Sequence, residues 1–210
     1  MSIKPPIPNG INSQLFPALL ERIQPVDGKP LRVLDLGPAS AATVAFFSQF
    51  RCSLHFADLA VAALHPPVRT QDEEELDARS VEAELAGHFR ALLDLPKGSV
   101  FDICLFWDYL NHLNDAEVRA FSLALQPHLH SSSRGHGFAV LNRNAQLYHQ
   151  SYGVLADNLL VVNAVNKVSL LACPHSQSGL NNLLVGMEVN RSVLRTDGRL
   201  EVLMRTKPGS

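Results

Sequence analysis

The chain has 210 residues and a formal charge of −2, enough for one large domain and marginal for two. Hydrophobic residues make up 46%, which supports a packed core and excludes wholesale disorder. Charges of both signs are interspersed without a basic run, so nucleic acid is not an evident partner. The absence of any run of about 18 apolar residues argues against a membrane-spanning helix.

Residues 1–12 carry Pro5, Pro6, Pro8 and Gly10 and read as a mobile arm, with residues 13–210 as one α/β domain. The arm lacks the apolar core of a signal peptide. Cys52, Cys104 and Cys173 are odd in number and widely spaced, which fits reduced thiols in a cytoplasmic protein. "NSQLFPALLERIQ" spaces Leu15, Leu19 and Ile23 by four, a short amphipathic helix ended by "PVDGKP". "LRVLDL" is a near-continuous apolar run, as in a strand buried on both faces of a parallel sheet. After a Gly-Pro turn, "ASAATVAFFSQF" offers a helix with Val44, Phe47 and Phe50 on one face, and "SLHFADL" a second strand. Strand, helix and strand within about thirty residues form a βαβ unit.

Thr70 and Glu73 stand in capping-box register. Val81, Leu85, Phe89 and Leu92 or Leu93 make a helical stripe, with a further short strand expected near "FRALLDL". "VFDICLFWD" is a strong buried strand. Asn114 and Glu117 then cap a helix whose stripe is Val118, Phe121, Leu125 and Leu129. "SSSRGHG" reads as a loop and "FAVLN" as a strand, while 143–182 shows no clear period. "GMEVNRSVL" and "RLEVLMR" alternate around Asp197-Gly198, a strong hairpin signal. The expected fold is α/β: a mostly parallel twisted sheet flanked by helices, closed by an antiparallel hairpin in the same sheet.

Open parallel sheets bind ligands beyond the carboxyl ends of their strands. Those ends carry Asp35-Leu36-Gly37, Asp58, Trp107-Asp108 and Asn142. Asp58 lies 21 residues after Gly37, a spacing that suits an acid accepting hydrogen bonds from ribose hydroxyls. The small residues from Gly37 to Ala41 would let a ligand approach the backbone closely. Asp108, Tyr109 and His112 could act as a base or orient a nucleophile, or could serve capping and packing. His128, His130 and His136 lie near one another in sequence, but no cysteine or carboxylate completes a tetrahedral set, so no metal site is expected.

"VLDLGPAS", "LHFAD", "FDICLFWDYLNHL" and the final hairpin together resemble the class I S-adenosylmethionine-dependent methyltransferases, over roughly residues 30–206. The resemblance implies that Asp35, Gly37 and Pro38 hold the methionine portion of the cofactor, that Ala39 also contacts the cofactor, and that Asp58 holds the ribose. Trp107 and Asp108 would lie beside the reacting methyl, with Asp108 and His112 as candidate catalytic groups. The substrate would be a small or unidentified molecule bound by the arm and residues 143–182. The family's Gly-x-Gly-x-Gly loop is reduced here to Gly37, followed by Pro38, with Ala39 and Ala41 at the later glycine positions. Pro removes a donor and alanine resists positive φ. Two rivals follow: a non-catalytic methyltransferase-like binding or scaffold module, and a nicotinamide-dependent reductase. The reductase is disfavoured by the terminal hairpin and by the lack of a Tyr-x-x-x-Lys pair.

Overall fold

A computed structural model describes residues 9–21, 28–60, 63–65, 78–142, 144–170 and 172–208. Five parallel-forming or flanking strands and one antiparallel insert build the main sheet: β2 (Leu31–Asp35), β3 (Cys52–Phe56), β4 (Phe101–Trp107), β5 (Leu129–Val140), β8 (Met187–Leu194) and β9 (Arg199–Thr206), in the order β3-β2-β4-β5-β9-β8. The pairs β2–β3, β2–β4 and β4–β5 are parallel, and β9 runs antiparallel to both β5 and β8. The hairpin expected around Asp197-Gly198 is therefore present and shares a sheet with the first parallel strand. Its turn uses Gly198 at φ 81, a conformation that glycine adopts without strain.

The apolar runs predict the central strands well: Val33, Leu34, Ile103, Cys104 and Leu105 have no exposed surface. Helices α2 (Ala41–Phe47), α3 (Ala78–Leu93) and α4 (Asp115–Leu125) flank the sheet. The expected capping box of α4 is formed on both sides, Glu117 N–H donating to Asn114 Oδ1 and Asn114 N–H to Glu117 Oε2.

Several elements differ from the sequence reading. Gly10–Asn12 is not free arm but strand β1, pairing antiparallel with β7 (Leu159–Leu170). The helix after it, α1, spans only Phe16–Glu21; Ile23 and the Thr70–Glu73 box lie outside the described residues. In α2 the buried face is Thr43, Phe46 and Phe47, while Val44 and Phe50 are 46% and 43% exposed. The helix ends at Phe47, so Phe50 cannot continue its stripe and instead folds its ring back on Phe46 and Phe47. No strand forms at "FRALLDL", because α3 continues through Leu93, and β2 pairs directly with β3 and β4. Leu129 starts β5 instead of extending α4. "SSSRGHG" is also strand, its small residues required by neighbours: a Cβ on Gly135 would fall 2.6 Å from the Phe106 ring, and one on Gly137 2.8 Å from the Trp107 carbonyl oxygen.

Within the segment of unclear period lie two long strands, β6 (Leu147–Ala156) and β7, and helix α5 (Gln177–Leu183). With β1 they make a second, three-stranded antiparallel sheet, β1-β7-β6. This small sheet does not stand apart. Tyr152, Val154 and Leu160 are at most 2% exposed and belong to the main core. The N-terminal segment is fastened too: the Ser13 hydroxyl and the Gln14 and Leu15 amides all donate to Glu201 on β9, and Ser13 N–H donates to the Asn158 carbonyl in the β6–β7 turn.

Candidate functional site

At the carboxyl ends of β2, β3 and β4 the backbone is tied into one block. Ala57 N–H donates to Asp35 O at 2.8 Å, Asp58 N–H to Gly37 O at 3.3 Å, Leu59 N–H to Leu36 O at 2.9 Å, and Leu36 N–H to Leu105 O at 3.1 Å. Asp58 follows the end of β3 in the left-handed region, at φ 47, a conformation that Asp tolerates better than most residues. Its side chain is exposed, as are Ala39, Ala41 and Ala60. Together they form a ledge of small residues with one free-facing carboxylate.

One strand inward the environment changes. Asp35 is 1% exposed, and its Oδ1 accepts from Trp107 Nε1 at 2.6 Å and from Gly37 N–H at 2.8 Å. Its other oxygen, Oδ2, has no hydrogen-bond partner among the described residues. Burial raises the carboxyl to about 7, against the lowering effect of those two bonds. Asp35 therefore fastens the loop and the indole, and acts from beneath the ledge. The loop's one glycine sits over the same pair: a Cβ on Gly37 would lie 3.3 Å from Asp35 Oδ1 and 3.5 Å from the indole.

Trp107 is 1% exposed and adopts φ 50, an outlier for a bulky residue and a sign of stored strain of about 1–3 kcal/mol. The bond to Asp35 holds it on one side. On the other, Tyr152 of β6 stacks on it at 5.2 Å and 7° between ring planes. The Tyr152 hydroxyl donates to Asp108 Oδ2 at 3.0 Å and accepts from Arg199 Nη1 at 3.1 Å. Arg199 is in turn held by Asp197 and lies 5.0 Å from the Phe138 ring centre. Asp108 is 4% exposed; burial raises its carboxyl to about 6, while the Tyr152 bond and the Arg199 charge pull it down. It borders a cavity of about 310 Å³ lined also by Leu141, Tyr148, Gln150, Asp197 and Arg199.

Strand β6 continues along the loop after β2. Gly153 passes so close that a Cβ there would fall 2.5 Å from Ser40 Oγ and 3.3 Å from the Ala42 methyl. Val154 N–H then donates to Thr43 Oγ1 at 3.2 Å, within the first turn of α2. The structure thus brings Asp35, Gly37, Pro38, Ala39, Asp58, Trp107 and Asp108 to one edge of the sheet, and divides them. Asp58 and Ala39 face outward, whereas Trp107, Asp108 and the start of α2 are covered by Tyr152, Gly153 and Val154.

The remaining candidates fall elsewhere. His112 is 3% exposed on the short helical turn Tyr109–His112, and among the described residues no hydrogen bond joins it to Asp108. Burial, with His149 and His65 nearby, lowers its imidazole to about 4, so it is neutral near pH 7. The Tyr109 hydroxyl donates to the Leu59 carbonyl at 2.7 Å and is pushed up by burial and by neighbouring carboxylates, which fits tying the ledge in place. His128, His130 and His136 do not converge: they bond to Ser99, Asp102 and Glu201 respectively. Among the described residues no group of three potential metal ligands exists.

Sequence reasoning missed Tyr152, Gly153 and Arg199. The one available signal was Gly153, since a lone glycine inside a strand marks a close backbone approach; nothing in the sequence says what approaches.

No family model matches the chain, and no curated protein sequence matches it. Solved structures do share its fold. One, described as converting a disulfide bond into a thioacetal group during echinomycin biosynthesis, superposes with a TM-score of 0.50 at 14% identity, covering 95% of this chain and 83% of that one. A second is the Burkholderia thailandensis 1,6-didemethyltoxoflavin-N1-methyltransferase, solved with 1,6-didemethyltoxoflavin and S-adenosylhomocysteine: TM-score 0.46, 16% identity, 92% of this chain and 77% of that one. A third is the mitomycin 7-O-methyltransferase MmcR: TM-score 0.46, 16% identity, 91% of this chain. The chain spans about half the length of MmcR (53%) and of the pyocyanin biosynthetic protein PhzM (54%). At these identities the likeness concerns the fold alone, an open, mostly parallel α/β sheet.

Proposed function

We propose that the protein is an S-adenosylmethionine-dependent methyltransferase, with the ribose of the cofactor held by Asp58. The observation that carries this reading is the fastening of the Asp58 backbone to Gly37 with its carboxylate left exposed. A carboxylate is acceptor-only when ionised and suits a pair of vicinal hydroxyls. The adjoining residues fit as well: Ala39, Ala41 and Ala60 are small and exposed, leaving room for a flat ligand beside the backbone. When bound, the cofactor supplies a methyl group activated by positive sulfur. The chain's own contribution is positioning and exclusion of water. Asp108, which borders the cavity, is placed to take a proton from an acceptor, its carboxyl held at about 6, a value suited to proton transfer near neutral pH.

A second reading, a non-catalytic methyltransferase-like module, is favoured by one specific observation: the methyl side of the cleft is covered by Tyr152 and its neighbours. Isothermal titration of the whole chain with S-adenosylmethionine, S-adenosylhomocysteine and NADH separates the readings. Binding of the first two supports the cofactor site. Binding of NADH alone would instead indicate a reductase, and no heat with any of them would favour the non-catalytic module.

A further inference from the structure

We infer that strand β6 is a built-in occupant of the methionine side of this cleft, so that in its observed form the protein takes a nucleoside without an amino-acid arm in preference to the full cofactor. The inference rests on the cofactor reading above and concerns which ligand that site accepts.

The argument is one of space and hydrogen bonds. The ledge that would receive the ribose is open at Asp58, Ala39, Ala41 and Ala60. The side that would receive the methionine arm is filled by this chain. Tyr152 lies flat on the Trp107 indole at 5.2 Å, a distance that leaves no room for a third group between the rings. Its hydroxyl uses Asp108 Oδ2. The Gly153 backbone rests against Ser40 and Ala42, and Val154 N–H occupies the Thr43 hydroxyl. A ligand arm entering here would have to displace all four contacts. It would also have to open the core, because Val154 and Leu160 have no exposed surface. The hairpin is further anchored by the pairing of Gly10–Asn12 with β7 and by the bond from Ser13 N–H to Asn158 O at its turn.

A ligand that needs a minor open state binds more weakly by the fraction of molecules in that state. A nucleoside such as 5′-methylthioadenosine, which needs only the ledge, carries no such penalty. The ranking of the two ligands therefore reports where β6 sits.

Isothermal titration compares 5′-methylthioadenosine with S-adenosylhomocysteine on the wild type, on Tyr152→Ala and on Gly153→Ala, with the melting temperature of each variant measured alongside. The expected result is that the wild type binds 5′-methylthioadenosine at least about tenfold more tightly, and that the ratio shrinks in whichever variant remains folded. Tighter binding of S-adenosylhomocysteine by the wild type would overturn the inference while leaving the cofactor reading intact. A nucleoside preference unchanged in a folded variant would also overturn it, because β6 would not be its cause. Binding of neither ligand by any protein would remove the cofactor reading, and the inference with it.

Discussion

Asp35 and Asp58 lie beyond or at the ends of adjacent parallel strands, yet they serve opposite ends of the problem. Asp35 is 1% exposed, pinned by Trp107 and Gly37, and raised to about 7. Asp58 is exposed, and among the described residues it is hydrogen-bonded through its backbone. What separates them is their neighbours and not their residue type. A bulky indole, itself covered by a tyrosine from a distant strand, closes over the first, while small residues adjoin the second. An acid at a strand's carboxyl end is thus a structural clamp where an aromatic ring covers it, and stands open to solvent where small residues adjoin it.

The sharpest way to break this contrast is to remove its cover. Trp107→Ala should destabilise the fold by about 3–5 kcal/mol, the usual cost of deleting a large buried aromatic. It should leave Asp35 without its closest partner. At about 2–4 °C per kcal/mol for a chain of this size, thermal melting should show a fall of roughly 6–20 °C. A fall of only a degree or two would mean that the indole is not packed as described.

An effect of comparable size is expected from pH. Both Asp35 and Asp108 have carboxyls raised by burial, to about 7 and about 6. A carboxyl raised in the folded state favours folding below its unfolded value near 3.8 and loses that contribution as pH rises through its folded value. Unfolding free energy should therefore decline between about pH 4 and pH 7, Asp35 alone accounting for on the order of 4 kcal/mol at about 1.36 kcal/mol per pKa unit. Asp35→Asn, which cannot ionise, should flatten much of that slope in denaturant titrations. Equal slopes in wild type and Asp35→Asn would contradict the burial of Asp35.

Tyr152→Phe sharpens the comparison further. It keeps the ring on Trp107 but removes the hydroxyl shared by Asp108 and Arg199. A loss of about 1–3 kcal/mol is expected, because the buried Asp108 carboxyl and the partly buried Arg199 lose a partner. The Asp108 carboxyl should also titrate at higher pH, since the bond that lowers it is gone. Carbon-13 NMR of labelled aspartate would register that move; an unchanged titration would place the hydroxyl elsewhere.

The sequence was most informative where a single local rule decides the outcome. Val33-Leu34 and Ile103-Cys104-Leu105 are apolar without interruption because both faces of their strands are covered, and the Asn114–Glu117 box and the Asp197-Gly198 turn are complete within a few residues. It was least informative where a distant group decides. Gly135 and Gly137 look like loop residues, but their smallness answers the ring of Phe106 and the carbonyl of Trp107. Tyr152 and Gly153 sit in a stretch without clear period, and their place over the cleft depends on Trp107, Ser40 and Thr43, more than forty positions away. The candidate site was thus legible as a set of strand ends. Which of its acids faces outward was not, because that depends on a strand from another sheet.

The proposed role of Asp58 as the outward-facing acid that receives a ribose can be read from Asp58→Ala, titrated calorimetrically with 5′-methylthioadenosine beside the wild type. Loss of a charge-assisted hydrogen bond costs about 1.5–3 kcal/mol, so affinity should fall at least about tenfold. The melting temperature of the ligand-free protein should move by no more than a degree or two, because the exposed side chain supports little packing. Equal affinity in mutant and wild type would remove Asp58 from the site, and a large fall in ligand-free melting temperature would show that it is, like Asp35, a clamp.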